Sequence, residues 1–336
     1  VRAATSIGIA VLLLATASIG GAMVQARLPR GEKLRVAVLQ AAIPREQAGR
    51  DKLEAYFELS LRAARDGAQL LVWPESSTGY EIDSDAPYQR EVRALVDGTG
   101  LPLILTSVTQ LGPDNWQNSS VLIVPRRGIA AIAPKRQLVP FGEYLPLRPL
   151  FGSLPALAVS EDFVPGGAPI VMDVGAAKLG PLVCFEAVFP ELARELVHAG
   201  ANLLINQTND SWFGTTGGPR QHLMHAVLRS AETGCPMARA ASTGVSLLVD
   251  RRGKIVAEQP LMEPGYLIAD LELGTRAPPG STVGRVLAGA CATLATAAMA
   301  WCLICGYRER RARSRRSAMT VAPAARRHAT AVGDRR

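Results

Sequence analysis

The sequence predicts an α/β fold with an apolar, membrane-length segment near each end. Between residues 34 and 275, apolar runs of strand length alternate with amphipathic stretches of helical period. Several of those runs stop at a proline or a charged residue, which reads as buried strands delivering side chains at their ends. Two longer apolar stretches, 6–24 and 284–306, account for a hydrophobic content of 48% and a mean hydropathy of +0.13. A chain of 336 residues has room for one large domain or two smaller ones with a sizeable core.

Residues 6–24 are just long enough to span a bilayer. A transmembrane helix over 1–26 is expected; a signal peptide cut near Val24-Gln25-Ala26 and a core helix are the competing readings. A chain that opens on Val1 is expected to be incomplete or to start from a non-standard codon. After a polar linker, 34–40 reads as a strand, and 51–66 as a helix with Leu53, Phe57 and Leu61 near one face. Residues 69–75 form the next strand, stopping at Pro74 and Glu75. Strand, helix, strand implies a parallel crossover. A helix over 85–98 and strands over 101–108 and 118–124 follow, and a hairpin brings 129–135 back to end at Lys135.

Residues 136–146 carry too much proline and glycine for regular structure. The irregular apolar stretch 147–168 is expected to be a lid or a membrane-dipping flap. The run Gly180-Pro181-Leu182-Val183 then reads as a buried strand delivering Cys184 at its end, with Glu186 two residues later. A helix over 190–199, a strand over 201–206, a loop over 208–214, a helix over 218–234 and strands over 237–241, 245–249, 254–256 and 264–272 complete the domain.

Residues 284–306 are long enough to span a membrane. The tail 307–336 holds ten arginines against Glu309 and Asp334, which is the whole of the chain's +8. An arginine-rich tail directly after an apolar span is a cytoplasmic flank, so the globular part, 34–275, is expected on the opposite side. Nucleic-acid binding is not expected from charge confined to a tail. Cys291, Cys302 and Cys305 lie in the C-terminal apolar stretch, leaving only Cys184 and Cys235 to the globular part. That is neither a disulfide framework nor a zinc pattern. His222 and His225 share a helix without further ligands, so a polar face near the site is expected rather than a metal.

Cysteine is a nucleophile only as thiolate, so it needs a base, and acyl transfer needs a donor for the oxyanion. Strand ends present Glu75, Lys135 and Cys184, which supply these in principle. Each context alone also suits a loop carboxylate, a solvated lysine or an inert core thiol. The sequence offers no GxSxG, Walker A, HExxH or GxGxxG motif as an alternative.

At these residues the sequence resembles the carbon–nitrogen hydrolase (nitrilase) superfamily, and within it the apolipoprotein N-acyltransferase family. The resemblance rests on Trp73-Pro74-Glu75, on Lys135 followed by Leu138-Val139-Pro140-Phe141-Gly142-Glu143-Tyr144, and on Cys184-Phe185-Glu186. It continues through Thr208 to Gly214, Gln221-His222 and Arg229 to Glu232. It implies a four-layer αββα sandwich flanked by transmembrane helices. It also implies Glu75 as general base, Cys184 as nucleophile, Lys135 as stabiliser of the tetrahedral intermediate, and Glu143 assisting Lys135. Glu186 and the Phe185 amide would complete the site, and Trp116 and Trp212 would line the acyl entry. The implied reaction moves an acyl chain from a phospholipid through a Cys184 thioester to the N-terminal diacylglyceryl-cysteine of an apolipoprotein, without cofactor or metal, at the outer face of the bacterial inner membrane. A tethered amidase acting on a small soluble amide is the alternative. The family carries several membrane helices before its catalytic domain. Here at most one precedes it, so a fragment, a shortened form that needs a partner, or a chain without the transferase function is expected. The residue after the cysteine, usually Tyr, is Phe185.

Overall fold

This computed structural model describes Gly20 and residues 31–44, 47, 49–112, 115–148, 162–274, 289–291 and 293–308. The rest of the 1–26 segment, most of the 147–168 stretch and the tail from 309 onward lie outside the described residues. The chain divides into two units, Val1–Ser281 and Thr282–Arg336, each taken by itself below.

In the first unit, β1 (Lys33–Gln40), α1 (Arg50–Arg65), β2 (Leu70–Val72), α2 (Ala86–Thr99) and β3 (Leu103–Gly112) follow in order. The three strands pair in parallel. β4 (Asn115–Val124) and β5 (Gly128–Pro134) add on antiparallel. The second sheet repeats the scheme with β6 (Met172–Val174), β7 (Ala177–Val183), α3 (Pro190–His198), β8 (Leu203–Thr208), α4 (Gly218–Thr233), β9 (Met237–Ala241), β10 (Ser246–Val249) and β11 (Ile255–Gln259). There β7, β8 and β9 are parallel. The last strand, β12 (Gly265–Glu272), returns to the first sheet and pairs antiparallel with β1, from Lys33 opposite Glu272 to Gln40 opposite Gly265. Two mixed six-stranded sheets result, ordered β12-β1-β2-β3-β4-β5 and β11-β10-β9-β8-β7-β6.

Side-chain alternation explains why these strands are apolar throughout. Along β1 to β4, Ala37, Leu39, Leu71, Leu103, Leu105, Val121 and Ile123 pack under α1 and α2. Their neighbours Val36, Val38, Leu70, Val72, Ile104 and Leu122 face the other way, against Leu179, Leu203, Ile205, Ala238, Ala240 and Leu248 of the second sheet. Leu182, Leu204, Met237, Leu247 and Val249 in turn pack against α3 and α4. The layers therefore run helix, sheet, sheet, helix. Polar ties cross the middle: Ser120 donates to Gln207 (2.7 Å), whose amide donates to the Trp73 carbonyl (2.8 Å).

Three local expectations change. The buried stripe of α1 is Leu53, Tyr56, Leu59, Ser60 and Ala63, while Leu61 is exposed. Steps of four residues drift by about 40° each, so the row that starts at buried Leu53 passes through partly buried Phe57 to exposed Leu61, whereas spacings of three and four follow the helix. β2 is only three residues long and ends before Trp73, because Pro74 cannot donate to the ladder. β6, not foreseen, pairs antiparallel with β7. In the second unit, the helix Gly289–Arg308 has 20 residues, a hydropathy of 1.6 and no burial, enough by length and composition to cross a membrane.

Candidate active site

Glu75 is set by what comes just before it. The buried Trp73 ring packs on Tyr56 and Phe57, at 5.2 and 6.0 Å between centroids, and its Nε1 donates to Ser60 (2.9 Å). Glu75 itself is buried. Its Oε1 accepts from the Asn118 amide (2.8 Å) and its Oε2 from the Asn209 backbone (3.1 Å).

Lys135 follows β5 and is 2% exposed. Its backbone N–H donates to the Asn118 carbonyl (2.7 Å), and its Nζ lies 2.8 Å from Glu143 Oε1 and 3.7 Å from Glu75 Oε1. The turn after it is closed on itself: Glu143 Oε2 accepts from the Val139 amide (2.9 Å), and Phe141, at φ +62°, donates its amide to the Tyr144 carbonyl (2.8 Å). Asn118 also donates to Glu143 (3.0 Å), so one amide bridges both carboxylates. Burial opposes the charge on Lys135, but Glu75, Cys184 and Glu143 outweigh it and hold its pKa above the usual lysine value.

Cys184 lies just past the end of β7 rather than within it. β7 stops at Val183, and Cys184 adopts a left-handed φ of +51° to open the 3₁₀ turn Cys184–Val188. Such a conformation costs a side-chain-bearing residue about 1–2 kcal/mol, so neighbouring contacts must hold it. Glu186 is one of these contacts. Its carboxylate accepts from the amides of Val183 (2.7 Å), Arg136 (2.7 Å) and Gln137 (3.1 Å), tying the cysteine turn to the lysine loop. Burial raises the Glu186 pKa against those three amides and Lys135.

The Cys184 thiol is pushed up to about 12, by burial first and then by Glu75, with Lys135 and Thr208 pulling the other way. It is therefore protonated at neutral pH and needs a base to act. Stability carries the same signature. The unfolded thiol ionises near 9.0 and the folded one near 12, so rising pH across that interval favours unfolding. Urea midpoints at pH 8 and about pH 10.5 should fall further for the wild type than for Cys184→Ala. An equal or smaller fall would mean that the folded thiol ionises freely.

A buried polar network lies behind the cysteine. Asp210 accepts from Thr208 (3.0 Å) and Arg239 (2.7 Å), and its Oδ1 is 2.8 Å from His222 Nδ1. Arg239 also donates to Asn206, whose amide reaches the Leu182 and Cys184 carbonyls at 3.0 and 3.3 Å. Gly244 is required beside Asp210, since a Cβ there would overlap its carboxylate. Sequence reasoning missed Asn118, Asn209 and Arg239. Their signal was a polar or charged residue inside an apolar strand or at its end, which is costly unless partnered. Among the described residues, no three of His, Cys, Asp and Glu converge to hold a metal ion.

The remaining expected residues lie around this centre. Trp116 is half-buried, two positions before Asn118 on β4 and so on its face, and its carbonyl accepts from Val164 (2.8 Å). Trp212 is 72% exposed and Phe213 41%, in the turn that follows Asn209. Phe185 packs edge-on against Phe189 at 5.1 Å.

Comparison with known proteins gives a consistent set. The carbon–nitrogen hydrolase family matches residues 35–278. The apolipoprotein N-acyltransferase of Geobacter metallireducens is 34% identical over 295 residues, covering 84% of this chain and 56% of its own length. That of Rhizobium etli is 37% identical over 248 residues, covering 69% and 46%. The chain thus spans about half the length of these curated relatives. A cysteine-to-alanine mutant of a Nesterenkonia amidase from the nitrilase superfamily superposes with a TM-score of 0.55 at 26% identity, over 73% of this chain and 93% of that one. In another structure of that amidase, the acetamide moiety of fluoroacetamide is added covalently at the active-site cysteine.

Proposed function

Because this chain belongs to the carbon–nitrogen hydrolase family, we propose that it transfers acyl groups through Cys184, taking them from a phospholipid. The observation that carries the reading is the buried cluster of Lys135 between Glu75 and Glu143, in which Lys135 and Glu75 both act electrostatically on the Cys184 thiol. Glu75 takes the thiol proton as Sγ attacks the ester carbonyl. Lys135 and the Phe185 backbone N–H hold the oxyanion, and Glu143 orients Lys135. The carbonyl–oxygen bond breaks, the lysophospholipid oxygen leaves with the proton, and a thioester remains. An amine, the N-terminus of a diacylglyceryl-modified apolipoprotein, then attacks the thioester and restores the thiol. The chain's similarity to the N-acyltransferases of Geobacter and Rhizobium supports these substrates.

Exposed apolar side chains favour a lipid donor over a small amide. Phe141 sits in the loop tied to Lys135 through Glu143, and Trp212 and Phe213 in the turn tied to Glu75 through Asn209. Trp116 and Trp212 line the acyl entry in this reading. The catalytic domain spans 34–275, on the outer face of a bacterial inner membrane. Helices over 1–26 and 284–306 anchor it, and the basic tail 307–336 lies in the cytoplasm.

The test is intact mass after incubation with phosphatidylethanolamine vesicles. An acyl-sized adduct on Cys184, absent from Cys184→Ala and discharged by a lipopeptide amine, is expected. Acylation by small amides with none from phospholipid would favour the amidase reading instead, in line with the Nesterenkonia amidase.

A further inference from the structure

The turn Cys184–Val188 is a single short 3₁₀ segment, so its last carbonyls run out of partners within it. Side chains of α4 reach carbonyls at both of its ends. His222 Nε2 lies 3.2 Å from the Cys184 carbonyl, joined there by Asn206 Nδ2 at 3.3 Å. Two helical turns further along the same buried face, Arg229 Nη1 donates to the carbonyls of Ala187 (3.3 Å) and Val188 (3.1 Å). The Cys184 carbonyl and the Asp210 carboxylate are both acceptors, so this arrangement has an N–H at each ring nitrogen, and Nε2–H donates to the carbonyl. On the other side of the ring, Nδ1 is fixed by Asp210 at 2.8 Å, which is itself paired with the fully buried Arg239.

The consequence lies in the peptide plane. The carbonyl of Cys184 and the N–H of Phe185 belong to one planar unit, and cis peptide bonds are absent among the described residues. In a trans peptide the two groups point in opposite directions. Holding the carbonyl on His222 therefore aims the Phe185 N–H away from α4. We propose that His222 is a positioning residue that aims the Phe185 amide as an oxyanion donor, acting through the Cys184 carbonyl and anchored by Asp210 and Arg239. This rests on the acyl-transfer reading above, in which that amide receives the developing charge.

Two reactions of Cys184 separate this role from general damage. Acylation by p-nitrophenyl butyrate passes through a tetrahedral oxyanion, whereas alkylation by iodoacetamide displaces iodide and needs no oxyanion donor. In single-turnover measurements on the full chain, His222→Phe should slow p-nitrophenol release by about 30- to 100-fold, below the hundredfold or more seen when such a donor is lost outright. Iodoacetamide alkylation should stay within about threefold, because the thiol, Glu75 and Lys135 are untouched. In His222→Gln, the side-chain amide replaces Nε2–H, and acylation should recover to within about fivefold. Should His222→Phe fail to fold, His222→Asn carries the test, since it reaches Asp210 but not the carbonyl and should behave as described for Phe. Acylation unchanged in the folded Phe or Asn variant, equal loss of both reactions, or no recovery with Gln would each overturn the proposal. Wild-type protein that is alkylated but never acylated would sink the acyl-transfer reading and this inference with it. An acylated wild type with an unaffected His222 variant sinks only the inference.

Discussion

Lys135→Met should lower acylation of Cys184 by about a thousandfold, the upper range for losing one oxyanion donor. Unlike the His222 variants, it should also slow iodoacetamide alkylation, because Lys135 is the charge that favours the Cys184 thiolate. The same change should destabilise the fold. Lys135 is 2% exposed, with Glu75 and Glu143 both within 4 Å of its Nζ. Removing it leaves two buried carboxylates bridged only by the Asn118 amide. Breaking a buried pair in this way costs about 3–5 kcal/mol. For a domain of this size that is a fall in melting temperature of roughly 10 °C. Single-turnover acylation and thermal unfolding on one preparation check both parts. A rate within tenfold of wild type would remove Lys135 from the chemistry, whatever happened to stability.

Asp210→Ala should cost about 3–5 kcal/mol by the same logic from the opposite sign of charge, leaving Arg239 buried without its carboxylate. Burial pushes the Asp210 carboxyl up, but Arg239, His222 and Thr208 outweigh it and hold its pKa near about 2. Because the folded value lies below the unfolded one, its stabilisation is present above about pH 4 and is lost as pH falls through the folded value. The stability gap between wild type and Asp210→Ala should therefore be widest near neutrality and narrow between pH 4 and 2, read from urea midpoints. A gap that does not change with pH would mean that the pair contributes through packing alone.

The three residues proposed for the chemistry stand out in the sequence because each follows a strand that the apolar pattern marks out. Glu75 comes after Leu70–Val72, Lys135 after Gly128–Pro134 and Cys184 after Ala177–Val183. Alternation and turn chemistry depend on residues only a few positions apart, and such signals survive in a bare sequence. The strand count was nearly right for the same reason. The face of α1 was misjudged because Phe57 and Leu61 are apolar too, and only contact with β1 and β2 selects Tyr56, Leu59 and Ala63 instead.

By itself the sequence determined the alternating α/β order, the residues standing at strand ends, the confinement of the net charge to the tail and the apolar character of 289–308. Only the tertiary structure decided how those strand ends are served. Asn118 reaches Glu75 across 43 positions and the Asn209 amide reaches it across 134, through two sheets whose packing no local pattern encodes. Glu186 likewise serves as a tie between two loops, because the Arg136 and Gln137 amides converge on it from 50 and 49 positions away. The physical reason is one of range: propensity and periodicity act along the chain, whereas a buried polar group is satisfied by whatever the packing brings within about 3 Å.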